Sequence, residues 1–586
     1  MIQNMIFVSG GVGMALFKRE EKIRMSEEQF EELIQFYKKL GFSSSQSKKL
    51  AGSCFGAKVT ADKNVSYKAD WQFRREAKEM PLGMGAALGS GFRSFKATAP
   101  MAICPEPLED CCAAPVEAPM PSAAEEFNAA ETHDAPEIEN ASPLDSPQII
   151  FSANVNTASW SYLRNNIKTG RRIDKSFVRI EEIINSYPYK LKKPKGEDLF
   201  SVNIERGDCP WNREAELLFV GLKGKKADKD IRQNIAFLVD VSGSMTDRWV
   251  LVQMSMMAII SKLKKGDVMS IIAYSDDTVT VAEKMECGNM DKCIKAVLSI
   301  DGIGGCTNGS EGLENAYSYL ADNFDENGNN RIFIFTDGDF NFGVTSEGGL
   351  AEYIRQKRET GIYLSIVGYG RENFKDNKME ALARNGNGNY TFIANPSDIL
   401  ETLWEKLVSN LVTVAKDVKI SVELNPHFVK EYRLIGYDAR VLTQKEFYDT
   451  EKAVDGIGSE HNVAALIEIK RGEAVRSYSS RYVSTNAVSN DQEFAFIEIH
   501  YKTPDDENKV FTRAVTIGEL DGAGDKNMAV ASLLAAFGLY LRESAYKGEL
   551  DKAMLNSMLS ALDKNEQINT KEKDSHFDII RKYLKS

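Results

Sequence analysis

The chain has 586 residues, 43% of them hydrophobic and 27% charged, which is enough apolar material for about three or four folded domains. Acidic residues outnumber basic ones by 85 to 73, for a formal net charge of −12. That balance excludes a general nucleic-acid binder, which needs a basic footprint, and leaves carboxylates available for cations.

The N-terminal stretch "MIQNMIFVSGGVGMALFKREEKIR" has a short apolar part, no preceding positive charge and no small-residue cleavage site. It makes a poor secretion signal. Met25 opens "MSEEQFEELIQFYKKL", which reads as a natural start, so residues 1–24 are expected to be a mis-called extension. Phe30, Leu33, Ile34, Tyr37 and Leu40 fall at helical spacing, and Gly41 with the serines at 43–45 makes a turn. Residues 25–97 are therefore assigned to a small helical module, with no clear period after 60.

Between 98 and 147 the composition changes: nine of the sixteen prolines fall there, and no Lys or Arg occurs between Ala97 and Leu163. Such a segment buries too little apolar area to offset its chain entropy, so a disordered acidic linker is expected. It would tether the helical module and let it engage something other than the main body.

Residues 148–226 mix short strands with a helix around 174–187. From 231 to 412 strands and helices alternate. The apolar runs "IAFLVD" (235–240), "VMSIIAY" (268–274), "RIFIFTD" (331–337) and "IYLSIVGYG" (362–370) suit strands buried on both faces of a parallel sheet. In 247–265, Leu251, Met254 and Ala258 form one apolar face, and Val252, Met256, Ile259 and Leu263 another. A helix buried on two sides fits a doubly wound α/β domain, Rossmann-like and mostly parallel. From 416 to 586 the pattern is β-rich, then helical. "VKISVEL", "KEYRLIGY", "NVAALIEIK", "EFAFIEIHY" and "VFTRAVTIG" alternate as antiparallel strands do. The apolar run "MAVASLLAAFGLYL" (528–541) is too short to span a bilayer and is read as a buried helix.

In open parallel sheets, ligands sit beyond the carboxyl ends of the strands. Three polar clusters map to that edge. "FLVDVSGSMTD" (237–247) presents Asp240, Ser242 and Ser244 directly after a strand. "GGCTNGSEG" (304–312) carries Thr307 just before a helix. "TDGDF" (336–340) places Asp337 at the end of the "RIFIF" strand. Two carboxylates and three hydroxyls then converge as hard oxygen donors, which suits Mg²⁺. Taken alone, Asp240 and Ser242 read equally well as turn and helix-capping residues. Asp339, Asp276 and Asp277 read as solvated loop positions, and Trp160 and Trp211 as packing residues.

"DVSGS", the Thr307 loop and "TDG" resemble the metal-ion-dependent adhesion site of von Willebrand factor type A domains, in order, spacing and strand context. The resemblance implies metal ligation by Asp240, Ser242, Ser244, Thr307 and Asp337, with Mg²⁺, Mn²⁺ or Ca²⁺ as the ion. It implies an Asp or Glu of a protein partner at the open position, and neither nucleic acid nor a small-molecule substrate. Residues 151–189, "CPWN" (209–212) and 432–469 are similar to the flanking segments of a bacterial subfamily of these proteins. The two flanks are expected to form one β-rich body with the metal domain inserted into it. Members of that subfamily often carry a lipoprotein-type export signal; none is legible here, so a cytoplasmic location is expected over the cell envelope.

The alternatives are an adaptor for an intracellular ATPase or assembly machine, and a metal-assisted hydrolase using Asp240. None of the five histidines (133, 427, 461, 500 and 576) lies in 231–412, which excludes a His-based triad or His-rich zinc site in that domain. No GxSxG elbow or GxxxxGK[ST] loop occurs. The eight scattered cysteines form no CxxC pair and suit free thiols in a reducing compartment.

Overall fold

A computed structural model describes residues 27–53, 136–153, 156–227, 231–300, 309–338, 347–370, 376–404, 413–452, 454–474, 492–521, 526–564 and 570–586. The chain forms strands β1 (Gln148–Ser152), β2 (Phe200–Asp208) and β3 (Glu216–Gly224) before the central domain. The central domain contributes β4 (Gln233–Asp240), β5 (Val268–Tyr274), β6 (Thr278–Glu286), β7 (Asn329–Thr336), β8 (Ile362–Tyr369) and β9 (Tyr390–Ile393). After it come β10 (Thr413–Leu424), β11 (Val429–Ile435), β12 (Ile457–Gly458), β13 (Asn462–Arg471), β14 (Glu493–Lys502) and β15 (Asn508–Thr516).

The central strands make one sheet in the order β6-β5-β4-β7-β8-β9, parallel except for β6 at one edge. Its strands are apolar on both sides because both sides are covered. Ile235, Phe237, Val239, Phe333 and Phe335 face the helices Trp249–Ile260 and Met290–Leu298. Ala236, Leu238, Ile332 and Ile334 face the helices Ser310–Asp322, Glu347–Arg358 and Asp376–Asn385. The alternation at single-residue spacing is that of a doubly wound sheet.

The two flanks do form one body. β1 pairs with β10, and β3 pairs with β13, so each of the two outer sheets is stitched from chain on both sides of the central domain. One sheet runs β11-β13-β3-β2 and the other β1-β10-β14-β15, with β12 on the side of β10. Along β3, Leu218, Val220 and Leu222 enter the core between the sheets, while Leu217 and Phe219 point to a layer of helices. That layer holds Ala158–Thr169, Ile180–Asn185, Lys526–Arg542, Lys552–Asp563 and Thr570–Lys585. Among the described residues no helix is long and apolar enough to cross a membrane, and Lys526–Arg542 is packed as an interior helix. The "CPWN" segment binds this body through Glu468 of β13. Glu468 accepts from Asn212 Nδ2 at 2.7 Å and Trp211 Nε1 at 3.4 Å, and pairs with Arg433 at 2.7 Å. Trp160 stacks on His576, so both eye-catching tryptophans pack.

Two sequence expectations need correction. The linker does not run to 147: Ala141 bridges to Tyr432, Ile138 N donates to Asp438, and Glu137 pairs with Arg542. Residues 136–147 thus belong to the folded body. The expected linker from 98 to 135 and the possible extension 1–24 lie outside the described residues. Nor does the helical module hang at the end of a tether. Glu27–Lys39 and Ser44–Ser53 form a hairpin turned at Gly41 (φ 95°), with Ser43 and Gln46 capping each other reciprocally. Leu33, Ile34, Phe36, Tyr37 and Leu50 share the core on the Met290–Leu298 side of the central domain. Gln46 Nε2 also donates to Asp291 Oδ1 at 3.1 Å.

Buried charges pin the central domain to the flanks. Arg164 pairs with Asp398, whose other oxygen accepts from Ala394 N at 2.8 Å and Asn395 N at 2.9 Å. Glu380, on Asp376–Asn385, accepts from Arg179 at 2.7 Å and also pairs with Arg440, so one carboxylate joins the domain to both flanks. Burial opposes its ionisation, but Arg440 and Arg179 outweigh that and hold it well below the usual carboxylate range. Removing one partner of a buried pair strands the other charge. Arg164→Ala is therefore expected to lower unfolding free energy by about 3 kcal/mol in urea titrations, and Arg164→Ala/Asp398→Asn to lose less than the sum of the single changes. An additive double mutant would contradict this coupling.

Candidate metal centre

β4 delivers Asp240 to the carboxyl edge of the sheet, where it is 0% exposed. Its parallel neighbour β7 lies in register, Val239 opposite Phe335, so the next residue along, Thr336, reaches Asp240. Thr336 Oγ1 donates to Asp240 Oδ2 at 3.3 Å and accepts from Gly338 N at 3.2 Å. Gly338 turns the chain with φ 95°, in the region glycine adopts at little cost. Asp337 follows β7 directly, with its side chain 7% exposed.

Past Asp240 the chain enters a 3-10 turn, Gly243–Arg248, anchored by the fully buried Met245. Ser242 N donates to Asp240 Oδ1 at 2.9 Å. The capping alternative for Ser242 fails on geometry: it precedes the turn but makes no side-chain cap hydrogen bond. Its hydroxyl instead lies 3.1 Å from that of Ser244, which is exposed. Arg248 closes the far side, with Nη1 3.0 Å from Asp337 Oδ2 and also donating to the Ser244 carbonyl.

Burial pushes the Asp240 carboxyl above its ordinary range. Hydrogen bonds from Ser242 pull it back, and the Asp337 charge pushes it up again. Burial also raises the neighbouring Tyr274 phenol far above its usual value, with the Asp240 charge adding to the effect. The fold thus assembles two carboxylates and two adjacent hydroxyls at one sheet edge. Among the described residues no group of three or more His, Cys, Asp or Glu is placed to hold a metal. Any ion here would rest on the hydroxyls together with the carboxylates, and this set of hard oxygen donors fits Mg²⁺ or a similar divalent cation.

Of the five ligands read from the sequence, the structure brings together Asp240, Ser242, Ser244 and Asp337. Thr307 lies outside the described residues, as does Asp339. Asp276 and Asp277 sit in the turn joining β5 to β6, where Ser275 N donates to the Asp277 carbonyl at 3.0 Å. Thr336 and Arg248 escaped the sequence reading. Thr336 had a signal, being the residue before Asp337 on a strand parallel to β4. Arg248 lies four residues after Ser244, but a side chain that reaches across to another strand leaves no local pattern. His576 contacts Ser186 at 3.1 Å in the helical layer, and His500 contacts Glu498 on β14 at 2.5 Å.

Three family models match the chain. "von Willebrand factor" covers 123–219, "von Willebrand factor type A domain" covers 234–406, and "Uncharacterized protein YfbK, C-terminal" covers 409–583. The chain is 31% identical over 415 residues to Uncharacterized protein YfbK of Escherichia coli (strain K12), an alignment spanning 68% of this chain and 72% of that one. It is 27% identical over 195 residues to inter-alpha-trypsin inhibitor heavy chain H3 of Mesocricetus auratus, spanning 31% of this chain and only 22% of that one. Among solved structures, a von Willebrand factor type A protein from Catenulispora acidiphila aligns at 13% identity and a TM-score of 0.37, over 64% of this chain and 89% of that one.

The raised Asp240 pKa has a consequence for stability. A carboxyl whose folded pKa exceeds its unfolded value contributes most stability below the unfolded pKa of 3.8, and this is lost as pH rises through the folded value. As pH rises and Asp240 ionises, its buried charge therefore weighs against folding. Asp240→Asn is expected to raise the thermal midpoint in EDTA at pH 7, with the gain shrinking toward pH 4. A lower midpoint at pH 7 would contradict this.

Proposed function

This chain belongs to the family of von Willebrand factor type A domain proteins that includes YfbK of Escherichia coli, and from that premise we propose that it is a divalent-cation-dependent protein-interaction module. Ser242, Ser244, Asp240 and Asp337 would hold the ion, with Thr307 as a further hydroxyl donor. When bound, the ion supplies a concentrated positive charge that an Asp or Glu of a partner protein can meet. The residues of the chain do the rest. Thr336 and the Ser242 amide orient Asp240, and the turn Gly243–Arg248 holds the two hydroxyls side by side.

The observation that carries this reading is the pairing of the Ser242 and Ser244 hydroxyls 3.1 Å apart beside a fully buried carboxylate, with the Ser242 side chain making no cap hydrogen bond. Mg²⁺ accepts few protein ligands and keeps exchangeable positions, which suits recognition of an external carboxylate; Mn²⁺ and Ca²⁺ take similar donors. The buried free thiols Cys209, Cys287 and Cys293 support a reducing compartment, and the cytoplasm is the proposed location.

Calorimetric titration of Mg²⁺ and Mn²⁺ into the EDTA-treated chain is expected to show saturable binding, abolished by Asp240→Ala and by Thr307→Ala. Capture of an acidic partner should then fail in EDTA. Metal binding that survives Asp240→Ala would overturn the assignment. Metal-dependent phosphoester turnover lost in Asp240→Ala would replace the binding reading with a hydrolase.

A further inference from the structure

Among the described residues, a cation borders the proposed metal centre. Arg248 ends the short turn that starts just after Ser242 and carries Ser244, and its Nη1 contacts both Asp337 Oδ2 and the Ser244 carbonyl. Asp337 is one of only two carboxylates in the donor set. A guanidinium therefore already draws on a carboxylate that a bound metal would also use. Two cations drawing on one carboxylate repel, so both cannot hold Asp337 at full strength. The surroundings allow exchange: the Asp337 side chain is 7% exposed and fixed at a strand end, whereas the Arg248 side chain is 27% exposed and can swing toward water on a long stem.

We propose that Arg248 is a built-in competitor of the metal, a tethered counter-ion that occupies Asp337 until a divalent cation displaces it. The proposal rests on the metal-binding reading of this site and deepens it. In this protein the site is not simply open to metal but is set to a lower affinity, so occupancy responds to the concentration of free cation. Because a guanidinium does not lose its proton in the ordinary pH range, the competition is independent of pH near neutrality. That separates it from competition by protons at the carboxylates.

The test is Mn²⁺ titration by calorimetry into the full EDTA-treated chain and its Arg248→Ala and Arg248→Gln variants, with Asp240→Ala beside them, at pH 6.5 and 8. Gln keeps a donor for the Ser244 carbonyl, which guards against a turn that collapses in the Ala variant. Both Arg248 variants are expected to bind Mn²⁺ roughly tenfold more tightly than the parent, by the same factor at both pH values. Binding to the variants where the parent shows none would support the proposal equally. Equal or weaker binding in both variants, with the parent binding and Asp240→Ala not, would overturn the role of Arg248 and leave the metal site standing. Absence of binding in parent and Arg248 variants alike would overturn both.

Discussion

A carboxylate taken wholly out of water at the end of β4 is the constraint on which the rest of the structure turns. Leaving an ionised group buried costs several kcal/mol, and each hydrogen bond to it returns only about 1.5–3 kcal/mol. Asp240 receives an amide from Ser242 and a hydroxyl from Thr336, yet burial and the nearby Asp337 still push its pKa upward. The fold keeps this unfavourable group because the sheet around it is over-determined. β4 is buried along its whole length, and covered on both faces by helices. A bound cation is the partner we propose for this carboxylate, and Arg248, paired with Asp337, already brings one positive charge to the same edge.

The scaffold that carries the site is itself held by the flanks. β1–β10 and β3–β13 pairings bring the chain before and after the central domain into one two-sheet body, so the domain is an insertion anchored at both ends. Glu380, between Arg179 and Arg440, and Asp398, beside Arg164, add buried charge contacts across that junction. Separating either pair would leave a buried charge without its partner, which penalises arrangements that break the junction. The N-terminal hairpin covers the Met290–Leu298 side of the central domain and gives its apolar face a place to go.

Much of this was legible in the sequence. The central strands announced themselves as unbroken apolar runs, and those of the flanking sheets as alternations. The juxtaposition of Asp240 and Asp337 was readable because the ends of neighbouring parallel strands fix where the next residue can lie. What escaped has physical reasons. β6 is an edge strand with no fully buried residue, so "TVTVAEKME" carries little apolar signal. The packing of residues 136–147 hid inside an acidic, proline-rich composition, because Glu137 and Ile138 are held by residues some three to four hundred positions away. The hairpin showed its own apolar face but not the surface that receives it. Arg248 reads locally as an ordinary basic residue; only the approach of β7 to β4 reveals what it touches.

The central claim is that Asp240, Ser242, Ser244 and Asp337 form a cation site. Anomalous diffraction from crystals of the protein soaked in Mn²⁺ tests it most directly. The account predicts one strong peak at the carboxyl edge of β4 and β7, within about 2.5 Å of the Ser242 and Ser244 Oγ atoms. A peak elsewhere with this edge empty, at saturating Mn²⁺, would contradict it.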